Sequence, residues 1–471
     1  VGRRSVAHGT LDTILLVVGT PPWVGDDDVA LLVDLYELTM AQAYWREGMA
    51  AEEAVFSLYF RRLPERRNHV LACGLADALR YLERLAFARE HLDYLASLGH
   101  FSRDFLDWLG DLRFTGDVWA VPEGTPVFPE EPLLEVVGPI AAAQIAESVV
   151  MNQVCFQSVL ASKAARVVTA AEGRSVVDFG LRRMHGADAA LKSARAFHVA
   201  GVVATSNVLA GHVYGVPVAG TMAHSYVQAH DDELAAFRAF AQLYPETILL
   251  VDTYDTLDGV RKVIELAREL GDDFRVRGIR LDSGDLGELA KASRSLLDGA
   301  GLERVEILAS GGLDEDRIAE LVAAGAPIDG FGVGTKMGVS EDAPALDMAY
   351  KLTAFAGRGR LKTSPGKRIL PGRKQVFRRE ESGEAVGDVI ARVDEELPGR
   401  PLLQRVMAGG EPVAPDATDL ERSRERARRE LASLPARVRA LAPAEPPYPV
   451  AVSDRLQGDL ERVRERVEEE R

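Results

Sequence analysis

The chain has 471 residues, 47% of them hydrophobic and 27% charged. That is enough apolar material for two or three packed domains, and it excludes a disordered or fibrous protein. Its 72 acidic against 56 basic side chains leave a net charge of -16, a field that repels polyanions and argues against a general nucleic-acid or anionic-membrane binder, while a local basic pocket can still take a small anion. The two cysteines, Cys73 and Cys155, each in an apolar stretch read as helical, can build neither a disulfide framework nor a cysteine zinc site, and they read as core thiols of a reducing cytoplasm.

Residues 1 to 28, with Pro21-Pro22 and Asp26 to Asp28, read as a poorly ordered leader. Within it Ile14 to Val18 is too short for a secretory signal and stands near Asp12. No apolar run approaches the roughly 20 residues that cross a bilayer, so the chain reads as cytoplasmic. Residues 29–139 suit an α+β domain. LYELTMAQAYW (35–45) predicts a helix, VFSLYF (55–60) a strand with one buried face, and DVWAVPEGTPVF (117–128) a small β module. A long apolar helix over 140–171 then opens a region, 140–350, of short β-rich runs alternating with amphipathic helices. The runs are VVDFG (176–180), VVATSN (202–207), VAGTMA (218–223), ILLVDT (248–253), GIRLDS (278–283), EILASGG (306–312) and DGFGVGT (329–335). Seven strands at even spacing favour an irregular, TIM-like α/β barrel over an open doubly wound sheet. Residues 351–471 carry a basic stretch, KTSPGKRILPGRKQVFRR (362–379), which reads as an exposed hairpin. A charged helical tail follows, with Leu420, Ala427, Leu431 and Leu434 forming an apolar stripe.

In α/β barrels the working residues stand at the C-terminal ends of the strands, and every run above ends there in polar residues or glycine. The glycines of SGG (310–312) and GFGVGT (330–335) place backbone N–H groups where an oxyanion can sit, as barrels often do after their last two strands; tight strand-to-helix turns are the plainer use of Gly311, Gly312 and Gly334. Arg280 and Asp282, two apart, project to one face. Arg280 can hold a phosphate or carboxylate, and Asp282 with Asp285 can accept ribose hydroxyls or coordinate Mg²⁺, or the Arg and Asp can simply pair with each other. His224 follows a strand among small neighbours in GTMAHSY. It can serve as base, nucleophile or hydrogen-bond partner, with Asp252 as the carboxylate that fixes its tautomer. Phe179, beside Arg182, and Tyr36 can stack on a flat heteroaromatic ring or merely pack.

Taken in order, DLYELTMAQAYW, FRRLP, NQVCFQSVLASKAAR, VDFGLRRMHG, ATSNVLAG, GTMAHS, VDTYD, RLDSGD, ASGGLDE, FGVGT and PGRKQV resemble the nicotinate phosphoribosyltransferase family over nearly the whole folded chain. The resemblance implies a type II phosphoribosyltransferase: a TIM-like barrel beside an α/β domain built from both chain ends, working as a homodimer. It implies that nicotinate and 5-phosphoribosyl 1-pyrophosphate become nicotinate mononucleotide and pyrophosphate, with ATP hydrolysed to ADP and phosphate and Mg²⁺ required, as a step of NAD salvage.

Carried over by position, His224 matches the histidine that ATP phosphorylates and Asp252 its acidic supporter. Phe179 and Tyr36 match the aromatic pair around the pyridine, the tyrosine coming from the partner subunit. Arg182, Thr221, Arg280 and Asp282 match ligand-binding positions, and Gly311, Gly312, Gly334 and Thr335 match the 5'-phosphate cradle. Ser206 stands where the related nicotinamide enzyme has an Asp, which favours the acid as substrate; capping the next helix is its plainer role. The loop ERRNH (65–69) departs from the family's glycine-rich pattern, and two cysteines cannot form the zinc module of some relatives. A phosphosugar aldolase or isomerase would need a Schiff-base Lys or a carboxylate base at a strand end, whereas Lys163, Lys192 and Lys262 fall in predicted helices. A non-catalytic sensor would have no use for intact GTMAHS and RLDSGD motifs.

Overall fold

Two large sheets divide most of the buried apolar residues between two cores, beside a four-stranded sheet, a two-stranded one and a small third apolar cluster among the described residues. The computed structural model of the chain describes Gly25, residues 28–363 and residues 369–470, so nearly all of the predicted leader lies outside the described residues. A seven-stranded antiparallel sheet runs in the order Arg358–Gly359, Met348–Phe355, Glu53–Phe60, Leu134–Pro139, Asp117–Ala120, Gln404–Ala408 and Glu411–Pro412, drawing strands from both ends of the chain. The VFSLYF segment was expected to bury one face only. It lies inside the Glu53–Phe60 strand, which is central, paired on both sides and buried on both faces from Ala54 to Phe60. Ser57, the polar exception, satisfies its hydroxyl on Glu135 Oε1 at 2.8 Å.

The second sheet is curled, parallel and six-stranded, in the order Ala204–Thr205, Ser175–Asp178, Gly330–Val333, Glu306–Ala309, Gly278–Leu281 and Ile248–Leu250. Seven strands were predicted. The run VAGTMA makes only a single bridge, Val218 to Thr205, because Pro217 has no N–H to donate and Gly220 weakens an extended pairing. This segment instead crosses between the sheet's two edges: Ala219 N–H bonds Thr205 O at 3.0 Å, and His224 reaches Thr253 beyond the opposite edge strand.

The predicted helix over 140–171 is two helices, Ile140–Ile145 and Glu147–Ala170, joined through Ala146. The longer one ties the cores together: Val149, Val150 and Val154 belong to the core beside the antiparallel sheet, and Val159, Leu160 and Val167 to the core of the parallel sheet. Cys155 lies in this helix, but Cys73 does not lie in one. It sits in the extended segment after Val70–Leu71, its N–H donating to Ser158 Oγ at 3.0 Å, and burial pushes its thiol pKa up. Both cysteines are free.

The basic stretch is also not an exposed hairpin. Residues 364–368 lie outside the described residues, Ile369 and Leu370 are buried, and Lys374–Glu381 pairs with Glu384–Arg392. Arg378 is fully buried against Asp388 and Glu430, at 2.6 and 3.4 Å, so its charge is neutralised inside rather than displayed. In the tail, helix Leu420–Ser433 buries Ala427 and packs on helix Ala187–Val199 outside the parallel sheet. Its Arg424 donates to the carbonyls of His198, Gly201 and Val202. Among the described residues no helix is long and apolar enough to cross a membrane.

Candidate active site

The C-terminal ends of the parallel strands share one rim, and buried carboxylates fix the loops there. Asp178 ends strand Ser175–Asp178. Its Oδ1 accepts the Gly180 N–H at 2.8 Å and its Oδ2 the Thr205 hydroxyl at 2.7 Å, although burial raises its pKa. The next residue, Phe179, extends the ladder through its N–H to Val333 O at 2.8 Å. Its ring lies on Gly332, where any Cβ would collide with the ring carbons. The Arg280 guanidinium stands 5.9 Å from the centre of that ring and donates to the Thr221 hydroxyl. Desolvation lowers the Arg280 pKa, the nearby Asp282 and Asp252 oppose that, and Arg182 adds to it; the Arg280 Nε is buried without a protein partner. Arg280 makes no ion pair with Asp282 among the described contacts, so the internal bridge allowed by their spacing is not the arrangement found.

Ser206 donates its N–H to Asp178 O at 2.8 Å. It does not cap the following helix, because Asn207 does: the Asn207 Oδ1 accepts the Ala210 N–H at 3.2 Å. The Ser206 side chain is half-buried.

The pairing expected between His224 and Asp252 is not made. His224 opens the short helix His224–Gln228. Its Nδ1 lies 3.2 Å from Thr253 Oγ1, and its Nε2 lies 3.8 Å from Asp282 Oδ2. Asp252 is turned toward the neighbouring strand end, where its Oδ2 accepts the Asp282 N–H at 2.8 Å and the Ser283 hydroxyl at 2.7 Å, leaving a buried Oδ1 without a partner. In an extended chain adjacent residues face opposite ways, so Asp252 and Thr253 divide these tasks between them. Asp282 is held in turn by the Ser310 hydroxyl at 2.5 Å. Thr253, Ser310 and Asp178 were the positions sequence reasoning did not assign. The only signal for them was their place in VDTYD, ASGG and VVDFG.

The two glycine loops lie side by side. Gly311 has φ +88°, and a Cβ there would overlap the carbonyl oxygen of Asp282; Gly312, at φ +64°, opens onto free space. Asp314 Oδ1 caps helix Glu315–Ala323 through the Arg317 N–H at 2.8 Å, and its Oδ2 bonds Lys336 Nζ at 2.7 Å, tying the loop of Gly311 and Gly312 to the loop of Gly334 and Thr335. Burial works against the Asp314 charge, but Lys336 and the capped N–H hold its pKa below the usual carboxylate range.

Asp285, a candidate Mg²⁺ ligand, spends its Oδ1 on capping helix Leu286–Gly299, accepting from Gly287 and Glu288 N–H at 3.1 and 3.3 Å. No group of three or more acidic, His or Cys side chains able to hold a metal occurs among the described residues. Arg182 is exposed in the turn Leu181–Arg183. Tyr36 does not join the rim within the single chain. It lies on helix Leu35–Arg46, 46% exposed, where desolvation and the neighbouring Glu147, Glu37 and Asp34 raise its pKa.

Residues 31–155 match the model of the nicotinate phosphoribosyltransferase (NAPRTase) N-terminal domain and residues 174–376 that of the NAPRTase family. The chain is 58% identical over 435 residues to nicotinate phosphoribosyltransferase pncB2 of Mycobacterium tuberculosis, covering 92% of this chain and 94% of that one. It is 42% identical to nicotinate phosphoribosyltransferase of Bacillus subtilis, over 79% and 78% of the two chains. The crystal structure of human nicotinic acid phosphoribosyltransferase superposes with a TM-score of 0.81 at 30% identity, over 91% of this chain and 99% of that one. With a curled parallel sheet, glycine loops at its last two strand ends and matches across both halves, the chain belongs to the nicotinate phosphoribosyltransferase family.

Proposed function

We propose that the chain transfers the phosphoribosyl group of 5-phosphoribosyl 1-pyrophosphate to the ring nitrogen of nicotinate, in NAD salvage, with turnover coupled to ATP. The observation that carries this reading is the meeting, on one rim, of a flat aromatic floor at Phe179, a half-buried cation at Arg280 and two adjoining glycine loops, of which Gly312 opens onto free space. Displacement at the anomeric carbon passes through an oxocarbenium-like state, so catalysis needs alignment of nitrogen and carbon and neutralisation of the departing pyrophosphate. No strong base is required, because the pyridine nitrogen already carries its lone pair. Phe179 supplies the face on which the ring stacks, and Arg280, fixed by Thr221, is placed for a carboxylate or phosphate beside it. Gly311, Gly312, Gly334 and Thr335 receive the 5'-phosphate through backbone N–H groups.

Mg²⁺ fits the carboxylates here: Asp252 keeps an orphaned buried Oδ1, and Asp282 keeps an Oδ2 with only His224 nearby. Asp282 and Asp252 would hold the ion, with Asp285 committed to its helix. When bound, it neutralises the leaving pyrophosphate. Phosphorylation of His224 by ATP, releasing ADP, would place negative charge and acceptor oxygens beside this acidic pair and reorganise pyrophosphate binding rather than attack the sugar. The enzyme works in the cytoplasm as a homodimer in which Tyr36 of one subunit covers the pyridine held on Phe179 of the other, which accounts for its separation from the rim in a single chain.

Incubating the purified protein with nicotinate, the phosphoribosyl donor, ATP and Mg²⁺ is expected to yield nicotinate mononucleotide. Absence of that product overturns the reading. His224→Ala is expected to abolish ATP stimulation while leaving slow ATP-independent turnover; stimulation unchanged in this variant removes the phosphohistidine assignment.

A further inference from the structure

A buried ionic cluster joins the two segments that follow the glycine loops. Lys163, in the middle of helix Glu147–Ala170, is 3% exposed. Its Nζ lies 2.5 Å from Glu315 Oε2 and 2.7 Å from Asp342 Oδ1. Glu315 is the first residue of the helix that follows Gly311 and Gly312. Asp342 lies in the turn that follows Gly334, Thr335 and the short helix Thr335–Gly338. One ammonium group therefore joins the segments behind both loops, from a helix that also fastens the two cores together.

Each carboxylate has a second cation of its own. Arg166 Nε bonds Glu315 Oε1 at 2.9 Å, and Arg67 bonds Asp342 at 2.5 and 3.1 Å and Ser340 Oγ at 3.3 Å. Arg166 and Arg67 touch one segment each, whereas Lys163 touches both. At the surface Lys336 and Asp314 span the same gap. Three cations face the two anions of this inner cluster, and the neighbouring Asp314 and Asp316 lie close enough to Lys163 and Arg166 to offset the extra charge. The arginine that serves Asp342 comes from ERRNH, so the segment that departs from the family's glycine-rich pattern is built into this cluster.

We propose that Lys163 is a positioning residue for the phosphoribosyl donor: it sets the spacing of the two glycine loops without touching substrate. The inference rests on reading those loops as the 5'-phosphate cradle. A misplacement of about 1 Å between binding elements weakens a fit by up to about a hundredfold, and a buried ion pair fixes spacing better than an exposed one.

Lys163→Met leaves Glu315 on Arg166 and Asp342 on Arg67, so neither carboxylate is left without a cation. The KM for the phosphoribosyl donor is expected to rise about tenfold or more, with the KM for nicotinate and kcat each within roughly threefold of wild type. Lys163→Arg, which keeps a cation at this position, is expected to recover most of the loss. Glu315→Gln cuts the same link from its other end and is expected to give the same split, which keeps the test open if Lys163→Met is not recovered folded. A rise shared equally by both substrates, or a fall in Tm with unchanged KM values, overturns the proposal. Gly312→Glu places a carboxylate on the open face of the cradle and tests the underlying reading separately. If it leaves the donor KM unchanged, the cradle itself is misassigned; if it raises that KM while Lys163→Met and Glu315→Gln do not, only the positioning role of Lys163 fails.

Discussion

Gly311 and Ser206 set two different limits at the rim. A side chain at Gly311 meets both a left-handed backbone and the Asp282 carbonyl. Gly311→Ala is therefore expected to displace the loop that carries Ser310, cost on the order of 2 kcal/mol in stability and weaken donor binding about tenfold or more, read by thermal denaturation and by the donor KM. On the proposed reading, Ser206 would limit which pyridine is accepted. Its hydroxyl is free of the capping task that Asn207 performs, and a carboxylate there would repel nicotinate and accept from an amide. Ser206→Asp is expected to shift the nicotinate-to-nicotinamide ratio of kcat/KM toward the amide by about tenfold or more, measured with both substrates under one set of conditions. Much of this was legible in the sequence, because glycine pairs and strand-end polar residues carry their positions with them. The support of His224 was not. Asp252 and Thr253 are neighbours in the chain, and only the side to which each one turns decides that Thr253 meets the imidazole while Asp252 braces the RLDS turn.

At the scale of elements, the helix Leu35–Arg46 was plain from its pattern, but its buried acid was not. Glu37 is fully buried, its Oε1 lies 2.6 Å from the Ser148 hydroxyl, and its Oε2 has no partner. Burial raises its pKa to about 8; the Ser148 hydrogen bond opposes this, and the nearby Glu147 and Asp34 add to it. Between about pH 4.5 and pH 8 the folded chain thus holds a proton at Glu37 that the unfolded chain has lost, so this group's contribution to stability falls as pH rises. Relative to Glu37→Gln, the wild type is expected to lose on the order of 2 kcal/mol across that window and to change little outside it, read from denaturant unfolding at a series of pH values. The strand inside Glu53–Phe60 and the failed strand at 218–223 have a common cause. Periodicity reports which residues are apolar, but the number of layers covering a strand, or a proline at its edge, decides the pairing.

At the scale of the molecule, the two cores share helix Glu147–Ala170, while the charged groups around Tyr36 are Glu147, Glu37 and Asp34, none of them a rim residue. If Tyr36 acts across a dimer, Tyr36→Ala and Phe179→Ala should each be impaired, yet mixing them after subunit exchange should restore about a quarter of wild-type activity, because half of the dimers are mixed and each has one intact site. No recovery, with exchange shown by mass, would rule out the action of Tyr36 across the dimer. The charge of -16 gives no hint of how many cations lie inside: Lys163, Arg195 and Arg378 are buried, and composition could not distinguish them from exposed ones.

Glu123 shows what this plan demands of biosynthesis. Its buried carboxylate accepts from Gly74 N–H at 2.8 Å and from Arg195 at 2.5 Å; the same guanidinium bonds Thr418 O at 2.7 Å, and Arg426 donates to the Glu123 carbonyl. Groups translated early wait for partners made some three hundred residues later, so a nascent chain still on the ribosome and lacking Thr418 to Arg426 holds Arg195 only half satisfied. Final locking of the parallel sheet's outer helix therefore waits until the segment from Thr418 to Arg426 has been made, and until then that flank of the polypeptide stays uncovered.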